Sequence, residues 1–235
     1  MFKQLPLDLI LDDTYTFQNY WPDANQELID AIHHYLKTQF PSLLFITGAV
    51  SSGKTHILKA IHEALKQQKK SVIRFSMADL LSISPNILDG LEQLDCIIID
   101  DIDAIKNHPA WQEALFHCYN RSQDKKCQWI VSAKEAPNQL PMTLKDLQSR
   151  LSHGVTWALK PINDKSKSKI LQLRAQMLGL ELSDHVADYL IHHYERDMQS
   201  QIQRLDILDK ASLASTRKIT IPFIKEIVSY KTIED

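Results

Sequence analysis

The sequence is poor in most features that mark specialised classes of protein. It carries 5 glycines and 9 prolines in 235 residues, which excludes collagen-like and Pro/Gly-rich low-complexity chains. No apolar run approaches the roughly 18 residues of a membrane helix. The longest clean runs, Leu43-Leu44-Phe45-Ile46 and Cys96-Ile97-Ile98-Ile99, are strand-sized, so no membrane association is expected. Cys96, Cys118 and Cys127 are the only cysteines and form no CxxC pair, which points to a reducing cytoplasm rather than a disulfide framework. The ten histidines show no HExxH or Cys/His ligand spacing, so they read as surface or boundary residues. A basic excess is also missing. Lys and Arg number 27 against 29 Asp and Glu, for a net charge of −2, and nothing demands the basic face of a nucleic-acid gripper. The opening MFKQLPLDLILDD has a single lysine and no small-residue cleavage site, so it does not read as a secretory signal.

What is present is ordinary globular composition, 44% hydrophobic and 24% charged, on a chain long enough for one large domain with a small companion. Residues 1–13 read as a flexible leader, broken by Pro6 and closed by Asp12-Asp13. The aromatic segment TFQNYWP (16–22) reads as a packed loop, followed by a helix with Asn25 as its cap and Leu28, Ile29, Ile32, Tyr35 and Leu36 on one face. Apolar strands at 43–47, 72–75, 96–99, 129–132 and 155–159 then alternate with helical or loop segments. Strand–helix units of this length predict an α/β fold: a five-stranded parallel sheet with helices on both faces, its strands doubly covered. After Pro161 only helical periodicity remains, over 165–178, 183–194, 197–214 and 220–230. The expected division is an α/β domain over 14–161 and a small all-helical domain over 162–235.

One motif dominates the chemistry. Gly48-Ala-Val-Ser51-Ser52-Gly53-Lys54-Thr55 is a complete G-x-x-x-x-G-K-[ST], between an apolar strand and a helix. Its glycines allow the backbone to fold around phosphate with N–H groups pointing inward. Lys54 is expected to reach the β- and γ-phosphates of ADP or ATP, and Thr55 to hold Mg²⁺. The strand Cys96–Ile99 ends in Asp100-Asp101, and in an open parallel sheet this end shares a crevice with the first loop. Asp100 is expected to bind Mg²⁺ through water and Asp101 to polarise an attacking water. Tyr20 and Trp21 belong to the aromatic segment; core packing and a flank of the adenine pocket are both open readings. Ser149-Arg150-Leu151 precedes the last strand, where an arginine serves either a surface ion pair or a site.

The order of these parts resembles the AAA+ ATPase module: aromatic linker, P-loop, paired-acid strand, arginine loop and helical lid. Within that class the chain resembles the DnaA/Hda family, and most closely its Hda-type regulators. The carrying residues are TFQNYWPDANQ (16–26), Asp100-Asp101, Leu147–Gly154, Leu171-Gln-Leu-Arg-Ala175 and Lys218–Ile227. The resemblance implies a regulator that restrains replication initiation. Its partners would be DnaA and the DNA polymerase III sliding clamp (β subunit), with DNA met indirectly through the clamp. Gln4, Leu5, Leu7 and Leu9 would dock on the clamp as an extended segment, kept non-helical by Pro6. Arg150 would act in trans on ATP bound to DnaA.

DnaA itself carries a helicase-interacting domain ahead of this module and a helix-turn-helix domain after the lid. Neither is expected in a chain that starts about a dozen residues before the linker and stops at Asp235, so independent reading of origin sequence is not expected. Two positions depart from the wider AAA+ pattern. Lys134 stands where relatives place a polar or acidic sensor, with Ser132 or Glu135 as substitutes. Gln199 stands where the lid of relatives offers an arginine to the phosphates, and an amide loses the charged bidentate contact. Weak hydrolysis by the chain itself is expected. The alternative is a self-acting DnaA-like or helicase-loader-like ATPase, and a homo-oligomer is left open.

Overall fold

The computed structural model describes residues 15–38 and 42–231, with the side chains of 229–231 left aside. Five parallel strands form one sheet in the order β2-β3-β4-β1-β5, namely β1 Leu43–Thr47, β2 Val72–Ser76, β3 Cys96–Asp100, β4 Gln128–Ala133 and β5 Val155–Ala158. Every strand runs the same way, so each connection must cross over a face of the sheet, and helices cover both faces.

Side chains alternate along each strand and sort the core into two layers. Leu43, Phe45, Ile97, Ile99, Trp129 and Val131 meet α4 (Pro109–Lys125) and α5 (Lys145–Ser152) on one face. Leu44, Ile46, Cys96, Ile98 and Ile130 meet α1 (Gln26–Thr38) and α2 (Lys54–Gln67) on the other. The expectation of doubly covered strands holds for β1, β3 and β4, which are buried throughout. It fails at the edges. β2 is only half-buried and β5 largely exposed, with Val155 at 43%, because an edge strand has one neighbour and little helix over it. A third apolar cluster is built from α6 (Asp164–Met177), α7 (Asp184–His193), α8 (Met198–Ser215) and α9 (Ile221–Lys231), around Leu171, Leu190, Leu205, Leu208 and Phe223. No helix among the described residues is long and apolar enough to cross a membrane.

After β2 the chain makes the four-residue α3 (Met77–Leu80), then two 3₁₀ turns at Pro85–Leu88 and Leu91–Gln93. One local reading is corrected: Asn25 does not cap α1. It ends a 3₁₀ turn, Asp23–Asn25, and is buried. Its Oδ1 accepts the Lys160 N–H at 2.8 Å and its Nδ2 donates to the Lys160 carbonyl at 3.2 Å. A backbone pair of this kind, 135 residues away in sequence, satisfies a side-chain amide more fully than a helix N–H could. Asn163 Nδ2 donates to Asp23 Oδ2 beside it at 3.1 Å. The aromatic segment is thereby fastened to the stretch joining β5 to α6.

Candidate functional site

Gly48 follows β1 directly, and its N–H donates to Ala133 O at the end of β4. Ser132 of β4 in turn donates to Asp100 of β3 and accepts the Asp101 N–H at 3.1 Å. The carboxyl ends of three adjacent strands therefore share one crevice, where open parallel sheets bind ligands. A cleft of about 880 Å³ opens there, between the sheet and helices α6 and α8.

Residues 50–55 of the loop line it, whereas Gly48, expected at the site, is not among its lining residues. Ser51 and Gly53 both have positive φ, +58° and +97°. A Cβ on Gly53 would touch the Tyr20 ring at 3.4 Å, and one on Gly48 would come within 2.7 Å of Ser52 Oγ. Crowding favours glycine at position 48, and the backbone angle favours it at position 53. Lys54 is buried at the start of α2 and donates to the carbonyls of Gly48 (2.8 Å) and Ala49 (2.9 Å). Burial lowers its pKa, while Asp101, Asp100 and Asp103 act in the opposite sense. Ser52 Oγ is buried with no hydrogen-bond partner among the described residues. Such an orphan hydroxyl, beside an ammonium at a helix N-terminus, suits an anion. Thr55 is exposed on the cleft wall.

The acids separate in role. Asp100 is buried, held by the Ser132 hydroxyl and lies beneath the wall, which Asp101 and Asp103 line. Asp101, which follows β3, takes a left-handed conformation (φ +52°). Its pKa is raised, first by burial and then by Asp100 and Asp103. Lys134 reaches the same wall and pairs with Asp103 at 3.7 Å. Glu135 is exposed and is not part of the wall, so of the two substitutes considered only Ser132 faces the acids. No group of three or more His, Cys, Asp and Glu that could cage a metal occurs among the described residues. Thr55 with one carboxylate is the donor set of a Mg²⁺ completed by substrate phosphates, not of an all-protein cage.

Tyr20 and Trp21 both line the cleft. Burial pushes the Tyr20 phenol up to about 12, so it stays neutral there. They are joined by residues that sequence reading passed over. His56, taken as a boundary histidine, is partly buried and packs edge-on against Tyr15 and Tyr20. Its Nε2 faces two acceptors, Thr16 O at 3.2 Å and Asn19 Oδ1 at 3.0 Å, which fixes the proton on that nitrogen. Burial, its largest influence, lowers the imidazole pKa. From the opposite wall come Ile170, Arg174 and Met177 of α6, and Met198, Gln199, Ile202 and Asp206 of α8. The signal for Arg174 was available: it sits at helical spacing between two apolar residues that face the cleft.

Arg150 is elsewhere. It lies exposed in α5, outside the cleft wall, with no ion pair among the described residues. Gln4, Leu5, Leu7 and Leu9 lie outside the described residues.

Two family models match the chain. Residues 11–158 match the bacterial DnaA ATPase domain, and residues 164–228 match the Hda lid domain. Among solved structures, domain III of the Thermotoga maritima replication initiation protein DnaA aligns with a TM-score of 0.78 at 20% identity, covering 92% of this chain and 96% of that one. AMPPCP-bound DnaA from Aquifex aeolicus aligns at 0.68 and 23% identity, covering 83% of this chain and 65% of that one. The Thermotoga maritima RuvB branch migration motor aligns at 0.68 and 15% identity, covering 90% and 69%. At these identities the structures speak for the fold: an AAA+ P-loop sheet with a helical lid. With the ATPase-domain match spanning more than half of its length and a lid match following, this chain belongs to the DnaA/Hda family of replication-related AAA+ proteins.

Proposed function

We propose that this chain is an Hda-type negative regulator of replication initiation, an adenine-nucleotide-bound protein that promotes hydrolysis of ATP held by DnaA. The observation that carries this reading is Arg150, an exposed arginine that serves no ion pair among the described residues and lies off the chain's own cleft. A guanidinium so placed is available to a neighbouring molecule. An arginine supplied in trans to a γ-phosphate raises hydrolysis by about 10³–10⁵.

The chain's own site suits retention of ADP or ATP. Lys54 would exchange the Gly48 and Ala49 carbonyls for phosphate oxygens, and Ser52 and the N–H groups of the loop would complete the cradle. Thr55 would hold Mg²⁺, with Asp100 reached through water, and Tyr20 and Trp21 would flank the base. The bound ion would neutralise phosphate charge. Lys134 is engaged by Asp103, and Gln199 supplies only an amide to the lid wall. Both weaken the case for rapid hydrolysis by this chain. Residues 14–161 and 162–235 would be the two working domains, and Gln4, Leu5, Leu7 and Leu9 the tether to the sliding clamp.

The test is a reconstituted assay of DnaA-bound ATP with clamp-loaded DNA. The parent chain should stimulate hydrolysis. Arg150→Ala should retain clamp and nucleotide binding and fail to stimulate, and Arg150→Lys should fail too, since a point charge does not replace a planar fork. Replacing Gln4, Leu5 and Leu7 with Ala should abolish clamp binding. An Arg150→Ala protein as stimulatory as the parent would sink the proposal. Asp101 on the cleft wall favours a second reading, a self-acting ATPase. Fast single-turnover hydrolysis by the isolated chain, lost in Asp101→Ala, would place that reading first.

A further inference from the structure

One fully buried side chain joins the cleft to the helix that carries Arg150. Gln112, in the first turn of α4, is 0% exposed. Its Nε2 donates to the carbonyls of Ile105 at 3.0 Å and Lys106 at 3.1 Å. Its Oε1 accepts the Leu144 N–H at 2.9 Å and the Thr143 hydroxyl at 3.0 Å. Both donor hydrogens and both lone pairs of the amide are thus used. On one side lies the segment Ile102–Asn107, whose Asp103, Ala104 and Lys106 line the cleft. On the other lies the start of α5, where Leu144 is the N-cap residue and has no side chain able to cap. Gln112 is not itself a lining residue of the cleft.

Packing does not call for an amide here. The neighbours of Gln112 on the buried face of α4, Trp111 and Leu115, are apolar, and an amide is costly to bury unless its polar atoms are all paired. What the amide supplies is a fixed distance between two segments that no strand or helix joins. Because α5 has only 8 residues, Arg150 stands within about two turns of the anchored end. A second amide, Gln148, donates to the carbonyls of Pro137 at 3.0 Å and Leu140 at 2.8 Å. It holds α5 to the stretch after β4, not to the acid-bearing segment of the cleft.

We infer that Gln112 is a positioning residue that ties the state of the nucleotide cleft to Arg150: a ligand that orders the 102–107 segment orders, through this amide, the start of α5. Segments fastened to an anchored loop open less often. The inference rests on the readings of the cleft as a nucleotide site and of Arg150 as the arginine presented to a partner. It makes nucleotide held by this chain a regulator of how firmly Arg150 is presented.

The experiment follows hydrogen exchange of the full chain with and without ADP and Mg²⁺, with ADP affinity measured by titration calorimetry. In the parent, ADP should slow exchange over 102–107 and over 144–150 several-fold more than in α7, whose residues do not line the cleft. Gln112→Met keeps the side chain's length and loses all of its hydrogen bonds. It should bind ADP as the parent does and retain the slowing at 102–107, while the slowing at 144–150 disappears. Thr143→Val, at an exposed position, removes one of the bonds and should lose part of that slowing; it serves as the test if the buried substitution unfolds the chain. Gln148→Met should speed exchange in α5 with and without ADP and leave the ADP-dependent slowing intact. Slowing at 144–150 that survives in Gln112→Met, or in full in Thr143→Val, would overturn the inference. So would its equal loss in Gln148→Met, or a parent that binds ADP with no change at α5. A parent that binds no ADP would instead overturn the nucleotide-site reading, and an Arg150→Ala protein as stimulatory as the parent would overturn the reading of Arg150.

Discussion

Replacing Asn25 with Ala removes both hydrogen bonds that join the start of α1 to Lys160. Each is worth about 0.5–1.5 kcal/mol net. Lys160 is exposed, so its freed N–H and carbonyl can turn to water, and the larger penalty of a buried orphan does not apply. Asn25 itself is only 6% exposed, so truncation also leaves a small void. A total near 2 kcal/mol follows, and at about 2–4 °C per kcal/mol for a chain of this size the melting temperature should fall by about 4–8 °C. Asn25→Asp should not rescue it. The carboxylate can still accept the Lys160 N–H but faces the Lys160 carbonyl with no donor. Thermal unfolding followed by circular dichroism measures the loss, and hydrogen exchange at the Lys160 amide localises it. A melting temperature within about 1 °C of the parent, with Lys160 still protected, would refute the reasoning.

Lys54→Ala should leave the nucleotide-free protein near its parent's stability, because the cost of burying the ammonium offsets its two carbonyl contacts. It should erase the stabilisation by ADP, which for a ligand at a hundredfold excess over Kd is about 2.7 kcal/mol, or about 5–11 °C in a thermal-shift assay. A parent-sized shift in Lys54→Ala would contradict the loop's assignment. Asp197 caps α8 by accepting the Gln199 and Ser200 N–H groups, and it also accepts from Ser51 of the loop at 3.0 Å. Asp197→Ala should cost about 1 kcal/mol and raise hydrogen exchange in the first turn of α8, whereas unchanged exchange there would argue that the cap is idle. The Ser71 hydroxyl and N–H hold the Asp95 carboxyl below the usual carboxylate range. That contribution is present above the ordinary carboxylate pKa near 4 and is lost as acid protonates the folded form. Asp95→Asn should therefore flatten the decline in stability below about pH 4, and an identical acid limb would remove Asp95 from the account.

Local patterns carried much of this protein's organisation. Gly48–Thr55 specifies its loop because the glycines and Lys54 must stand at fixed spacing along one continuous segment. The runs 43–47, 96–99 and 129–132 fall within buried strands as expected, because an apolar run fits a strand covered on both sides. The lid helices were marked by period and by caps such as Ser183, whose side chain accepts the Val186 N–H. The exposure of β5 could not be read that way, since an apolar run carries no record of whether a sixth strand lies beside it.

What the fold alone decided are the pairings between distant segments. Asn25 looks like a helix cap until Lys160 is brought against it, and His56 like a surface residue until the aromatic segment folds over it. Lys134 meets Asp103, and Arg174 meets Asp206, only because crossover connections and helix packing place their elements side by side. A side chain's period along its own helix or strand tells which way it points. The charge and hydrogen-bonding of what it meets are set by chain segments tens to more than a hundred residues away, and it is those partners that turn a list of plausible residues into a cleft with two unlike walls.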